Sequence, residues 1–238
     1  MCISLFILIS LLSISVSAVY AEIIVFDSIT TIDRPVMLRA LTKGRFFPSG
    51  GRIVKFFING KVLGTTLSGG DGYAFFEFIP EKTGLLQVMA RSDNEKSTGF
   101  LLVCNRGDKL FFVEVENALM GSVFSRNIMN GADVVLRSLM KNFRIIYVTN
   151  ILGISAARQW IKDKGLPSSV VIKLESEDYI SNLQAMGLIP YAMVGSPGLL
   201  AQSEGTVKKR FSFVPLEGVT EIKDWFDLRK KLYQKSDK

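Results

Sequence analysis

The chain is predicted to fold as two successive units: an all-β sandwich, then an α/β domain with a doubly wound parallel sheet. Three observations carry this. Residues 22–103 are built from strand-length apolar runs bounded by Gly, Asn, Asp or Pro. From Lys109 onward, short apolar runs alternate with stretches whose apolar residues recur at helical spacing. Between the two, Cys104-Asn105-Arg106-Gly107-Asp108 is polar and keeps neither period, so residues 104–108 read as a linker.

In the first unit Val36–Ala40, Ile53–Ile58, Tyr73–Ile79 and Leu85–Arg91 are the strand runs. Asn59-Gly60 predicts a tight hairpin, because both residues tolerate the positive φ of a type I′ turn. Gly69-Gly70-Asp71-Gly72 and Pro80-Glu81-Lys82-Thr83-Gly84 supply two more turns. The alternating aromatics Phe56, Phe76 and Phe78 are expected in the core. Arg106-Gly107-Asp108 matches an adhesive tripeptide, yet Gly followed by Asp is ordinary turn chemistry.

In the second unit, 109–238, strands are expected at Leu110–Val113, Arg144–Val148, Val170–Ile172, Tyr191–Val194 and Phe211–Val214. Helices are expected at Ala132–Met140, Ile154–Lys164, Tyr179–Met186 and Ile222–Tyr233. Strand–helix alternation of this kind makes a parallel sheet covered on both faces.

The chain has 238 residues, 48% of them hydrophobic, and a formal net charge of +7. That excess is diffuse and gives no indication of a nucleic-acid partner. Residues 1–21 carry no charged side chain and close on Ser17-Ala18-Val19-Tyr20-Ala21. They are expected to be an export signal cleaved before Glu22, which places the mature chain outside the cell or in the periplasm and cell envelope. No later segment is apolar enough to span a membrane. Cys2 lies within the signal, so Cys104 would be left without a disulfide partner. Histidine is absent, which excludes Ser–His triads, His acid–base catalysis and most zinc sites.

Leu110–Val113 ends in Glu114-Val115-Glu116-Asn117-Ala118-Leu119, and Arg144–Val148 ends in Thr149-Asn150. The pairing resembles the first two motifs of the haloacid dehalogenase superfamily, an Asp-x-Asp-x-Thr or Ser strand end and a strand-terminal Ser or Thr. Tyr147-Val148-Thr149-Asn150, Ala157-Arg158-Gln159-Trp160-Ile161 and Gly165-Leu166-Pro167 look most like its lipin-related phosphatidate phosphatases. The resemblance implies a Rossmannoid fold of that superfamily, with Glu114 in the nucleophile's place and Glu116 in the acid's. It also implies that Thr149 and Lys173 bind phosphate, and that any magnesium would sit at Glu114 and Glu116.

The departures weigh against catalysis. Both aspartates are glutamates here, Ala118 replaces the hydroxyl residue, and no carboxylate falls between Tyr191 and Gln202, where the family completes its metal site. A misplacement of about 1 Å can cost roughly a hundredfold in rate. In the first unit, the order of Phe56–Gly64, Gly70–Pro80 and Thr83–Ala90 resembles bacterial immunoglobulin-like domains, implying a spacer or adhesion sandwich.

The expected function is that of an exported, catalytically inactive binding or accessory module. Its partner would be a phosphorylated ligand, an envelope lipid or a protein, with no cofactor unless magnesium serves an active site. Two alternatives stand beside it: a slow magnesium-dependent phosphatase using Glu114 and Glu116, and a structural spacer in a surface assembly. Lys208-Lys209-Arg210 is the compact basic cluster that could touch anionic head groups.

Overall fold

The computed structural model describes residues 22–44, 47–120, 127–174 and 178–234, so the expected export signal lies outside the described residues. The first unit is built from β1 (Glu22–Val25), β2 (Ser28–Thr31), β3 (Val36–Lys43), β4 (Ile53–Ile58), β5 (Lys61–Leu67), β6 (Tyr73–Phe78), β7 (Gly84–Ser92) and β8 (Glu95–Cys104). A three-stranded sheet ordered β1-β3-β6 faces a five-stranded sheet ordered β2-β8-β7-β4-β5. Alternate residues (Val25, Leu38, Ala40, Val54, Phe56, Val88) fill the space between them.

The Asn59-Gly60 hairpin forms as expected, with φ of 47° and 80° between β4 and β5. Phe56 is fully buried, Phe76 meets it from the other sheet with ring centres 5.9 Å apart, and Phe78 is partly buried against the same core. Gly64 makes this possible, since a Cβ there would stand 2.5 Å from the Phe76 ring. The strands β1, β2, β5 and β8 are additions to the expected set: polar and small residues dilute the period of β2, β5 and β8, and β1 has only four residues.

The second unit runs β9 (Lys109–Glu114), a π-helical turn (Val115–Leu119), α1 (Ala132–Leu139), β10 (Arg144–Val148), α2 (Ile154–Asp163) and β11 (Val171–Ile172). It continues through α3 (Asp178–Ala185), β12 (Ile189–Val194), α4 (Pro197–Gln202), β13 (Lys209–Ser212), β14 (Thr220–Glu221) and α5 (Trp225–Tyr233). The strands form one parallel sheet ordered β11-β10-β9-β12-β13-β14. Phe111, Val113, Ile145 and Tyr147 turn one way, into a core shared with α1, α2 and α5. Leu110, Phe112, Ile146 and Val148 turn the other way, toward α3 and α4. The direction of strand succession reverses between β9 and β12, and ligand crevices of open α/β sheets lie at the carboxyl ends of such a pair.

Some boundaries moved for local reasons. The Val214 amide donates to the Ser212 hydroxyl at 3.1 Å, which ends β13 before the expected Val214. α5 begins at Trp225 because the Asp224 carboxylate caps it, accepting from the Asp227 amide at 2.8 Å. β8 runs on through Cys104, one residue into the expected linker. The rest of that segment is an ordered turn: Asp108 accepts from the Asn105 amide at 3.0 Å and from Arg144 Nε at 2.9 Å. Burial, with Asp108 nearby, pushes the Cys104 thiol up to about 12, which leaves it unreactive.

The two units share a packed seam. Along the end of β8, Leu101 and Val103 face the sandwich core while Leu102 and Cys104 face the core beneath the parallel sheet. Asp27, in the loop between β1 and β2, ties across this seam. Its Oδ1 accepts from the Phe100 amide and from Arg158 Nη2, each at 2.7 Å, and its Oδ2 accepts from the Val171 amide at 2.7 Å. Arg158, on α2, also donates to the carbonyls of Thr98 at 2.7 Å and Val25 at 3.3 Å. Burial raises the Asp27 carboxyl above its ordinary range, against the opposing pull of Arg158 and the two amides.

Removing one partner of a buried pair strands the other, at a typical cost of about 3–5 kcal/mol. Asp27→Ala is therefore expected to lower the urea-unfolding free energy by about 3 kcal/mol, toward the low end because Arg158 keeps some solvent contact. A loss below about 1 kcal/mol, the level of an exposed ion pair, would show that the seam does not depend on this carboxylate.

Candidate functional site

The site lies at the carboxyl end of β9, where the chain enters its π-helical turn. Such turns are uncommon and recur at functional sites. This one is pinned by Trp225 of α5, whose Nε1 donates to the Ala118 carbonyl at 2.9 Å. Glu114 closes β9, Glu116 stands on the turn, and Thr149 follows β10; all three are buried. The three lie at neighbouring strand ends as expected, but Glu116 and Thr149 are spent on each other and the backbone, and Glu114 on Asn117, Asn150 and Ser196.

Glu116 reaches across to the loop after β10. Its Oε1 accepts from the Thr149 hydroxyl at 2.5 Å and from the amides of Ile151 and Leu152, each at 3.0 Å. Its Oε2 accepts a longer bond, 3.4 Å, from the Asn150 amide. Successive amides and a hydroxyl pointing at one place form an anion-binding concavity. Here the chain's own carboxylate occupies it. Burial raises the Glu116 carboxyl, but the Leu152 amide, the Thr149 hydroxyl and the Ile151 amide outweigh that and hold it below the usual carboxylate range.

Glu114 faces the reversal between β9 and β12. Its Oε1 accepts from Asn117 Nδ2 at 3.0 Å, Asn150 Nδ2 at 3.2 Å and Ser196 Oγ at 3.1 Å. Its Oε2 accepts from the Ser196 amide at 2.5 Å. Gly195 allows this closeness, because a Cβ there would lie 2.7 Å from Oε2. Asn117, Asn150 and Ser196 are partners the sequence reading did not assign. Ser196-Pro197, a hydroxyl residue ahead of a proline at the first helical position, was a readable signal for a helix start.

Lys173, expected to hold phosphate with Thr149, is not part of this cluster. It is exposed after β11 and lines a 440 Å³ groove against Phe26, Met37 and Tyr179. Among the described residues no three His, Cys, Asp or Glu side chains gather closely enough to hold a metal ion. The Lys208-Lys209-Arg210 cluster is also divided. Lys209 Nζ donates to the carbonyls of Leu232 at 3.0 Å and Gln234 at 2.8 Å, at the end of α5. Arg210 is taken up by Glu204 at 2.9 Å and the Leu200 carbonyl at 3.1 Å. Lys208 alone projects outward, its Nζ 5.5 Å from the Tyr191 ring centre. Among the described residues no helix is long and apolar enough to cross a membrane.

No protein-family model matches the chain, and no curated protein matches it. Among solved structures, it is similar to the CARDB domain of a Pyrococcus furiosus protein, with 19% identity over 35% of this chain and 91% of that one, at a TM-score of 0.27. It is also similar to the D0-D1 domain of Intimin, with 13% identity over 39% of this chain and 56% of that one, at a TM-score of 0.30. Fibronectin(III)-like modules of Clostridium thermocellum CbhA match at 13% identity over 35% of this chain and 97% of that one, with a TM-score of 0.25.

No comparison bears out the resemblance to the haloacid dehalogenase superfamily and to its phosphatidate phosphatases, and that expectation does not stand. The physical reason fits the geometry. The apparent first motif is a strand end whose two acids serve as internal acceptors, so sequence spacing alone imitated a catalytic pair.

Glu116 ionises more readily in the fold than in the unfolded chain, so its stabilising effect is present above about pH 4.3. It is lost as pH falls through the lowered folded value. Glu116→Ala is expected to cost about 3 kcal/mol at pH 7, since it strands a buried hydroxyl and two amides. The difference from the unmutated chain should shrink in acid, and an unfolding series from pH 7 to pH 3 checks it. A constant difference across that range would rule out an ionised acceptor. Gly195→Ala should also destabilise, by about 1–3 kcal/mol, because its methyl group overpacks Glu114.

Proposed function

We propose that this chain is an exported, non-catalytic binding or accessory module, and that its strand-end crevice is a structural joint. One observation supports this above the others: every carboxylate oxygen of Glu114 and Glu116 already accepts from internal donors. A nucleophile must be free to attack, and a magnesium ligand must offer its oxygen at about 2.0–2.1 Å in a near-octahedral cage. A carboxylate seated among four hydrogen bonds would give them up before doing either. The lack of histidine leaves no ordinary proton shuttle to compensate.

In this reading the module works by recognition, with a cell-envelope or extracellular setting and an anionic ligand as its partner class. The net charge of +7 favours such a ligand over a cationic one.

The test is direct. Purified protein is assayed with p-nitrophenyl phosphate and with phosphatidate dispersed in detergent, with and without magnesium. Rates equal to the buffer blank are expected, with Glu114→Gln indistinguishable from the unmutated chain. Magnesium-dependent hydrolysis that Glu114→Gln abolishes would overturn the reading.

A further inference from the structure

The seam between the two units opens into a 620 Å³ groove that shares no residue with the strand-end crevice. One wall is the outer face of the five-stranded sheet, with Lys96, Thr98 and Phe100; the other is α2 and the segment before β11. Ser155, Arg158 and Lys162 sit three and four residues apart on α2, a spacing that places them on one face of the helix. Domain junctions with a few converging polar groups over an apolar floor are common ligand sites. Phe100 and Ile161 supply that floor.

The charge of this groove is one-sided. Lys96, Arg158 and Lys162 line it, and no acid does except through Arg158, whose partner Asp27 lies behind it. Among the described residues neither Lys96 nor Lys162 has a carboxylate partner, and the hydroxyls of Ser155 and Ser168 make no hydrogen bond. Arg158 Nε is buried with no partner. Two unpaired ammonium groups and two idle hydroxyls therefore face one cleft. The Asp27–Arg158 tie holds its walls in place without using up either lysine.

We infer that this groove binds a phosphorylated polyol, with Lys96 and Lys162 taking the phosphate and Ser155 and Ser168 the ligand's hydroxyls. The inference rests on the binding reading above and names its site. Phosphate suits two mobile ammonium donors, each a compact point charge. The same glycerol phosphate chemistry occurs in free esters and in phospholipid head groups, and the experiment separates them.

Glycerol 3-phosphate is titrated into the full chain by calorimetry, and phosphatidylglycerol vesicles are compared with phosphatidylcholine vesicles by co-sedimentation. Saturable binding of the free ester, or selective binding of the anionic vesicles, is expected. Lys96→Gln/Lys162→Gln should weaken it by about tenfold or more, the loss expected when charge-assisted bonds are removed. Lys208→Gln, elsewhere on the surface, should leave it unchanged. Binding to the ester assigns a soluble ligand, and binding to vesicles alone assigns a head group. No binding to either probe, or equal binding by the double variant, overturns the inference. A blank phosphatase assay alongside such a failure would remove this groove and leave the non-catalytic crevice standing.

Discussion

A carboxylate with no exposed side-chain surface, Asp27, governs how the two halves of this molecule meet. Stripping a carboxylate of water costs several kcal/mol, and only well-placed donors recover it. Those donors come from both units: the Phe100 amide from the sandwich, and the Val171 amide and Arg158 from the α/β unit, 144 and 131 residues away along the chain. Any sliding of one unit over the other would leave Asp27 short of partners. The apolar alternation of β8 sets the same register, because Leu102 and Cys104 fit the second core only when Leu101 and Val103 fit the first. Non-directional burial and a directional ion pair thus fix one arrangement, and the cationic groove beside α2 is its by-product.

The crevice at the reversal of the parallel sheet shows the same physics turned inward. An open α/β sheet offers amides and a hydroxyl at strand ends, a ready cradle for an anion. Here Glu116 fills the cradle after β10 and Glu114 fills the gap toward Ser196. The longer reach of glutamate matters: its extra methylene lets the carboxylate cross from the π-helical turn to the neighbouring loop. Trp225 and Gly195 support this from opposite sides, one by holding the turn's carbonyl and the other by leaving space. What reads as a weakened catalytic pair is hydrogen-bonded between adjoining strand ends through every carboxylate oxygen.

Much of the architecture was legible because period and punctuation are local. Asn59-Gly60 announced its hairpin, the apolar runs Leu110–Val113 and Arg144–Val148 announced buried strands, and α1, α2 and α3 showed helical spacing. Short strands such as β2 and β14 escaped, since four or two residues carry too little pattern. The convergence of Glu114, Glu116 and Thr149 was also legible, because strands of one parallel sheet present their ends together. Lys173 was misplaced by the same logic: it follows β11, a strand end like the others, yet its side chain faces the sandwich.

The sequence by itself determined the order of the longer strands and helices and the Asn59-Gly60 turn, because propensity and hydrophobic period act between near neighbours. It also settled that the chain carries no histidine. Only the tertiary structure decided what the polar residues do. Asp27 and Arg158 carry no motif, and Glu114 and Glu116 carry a misleading one, because a buried charge takes its role from donors brought to it by folding.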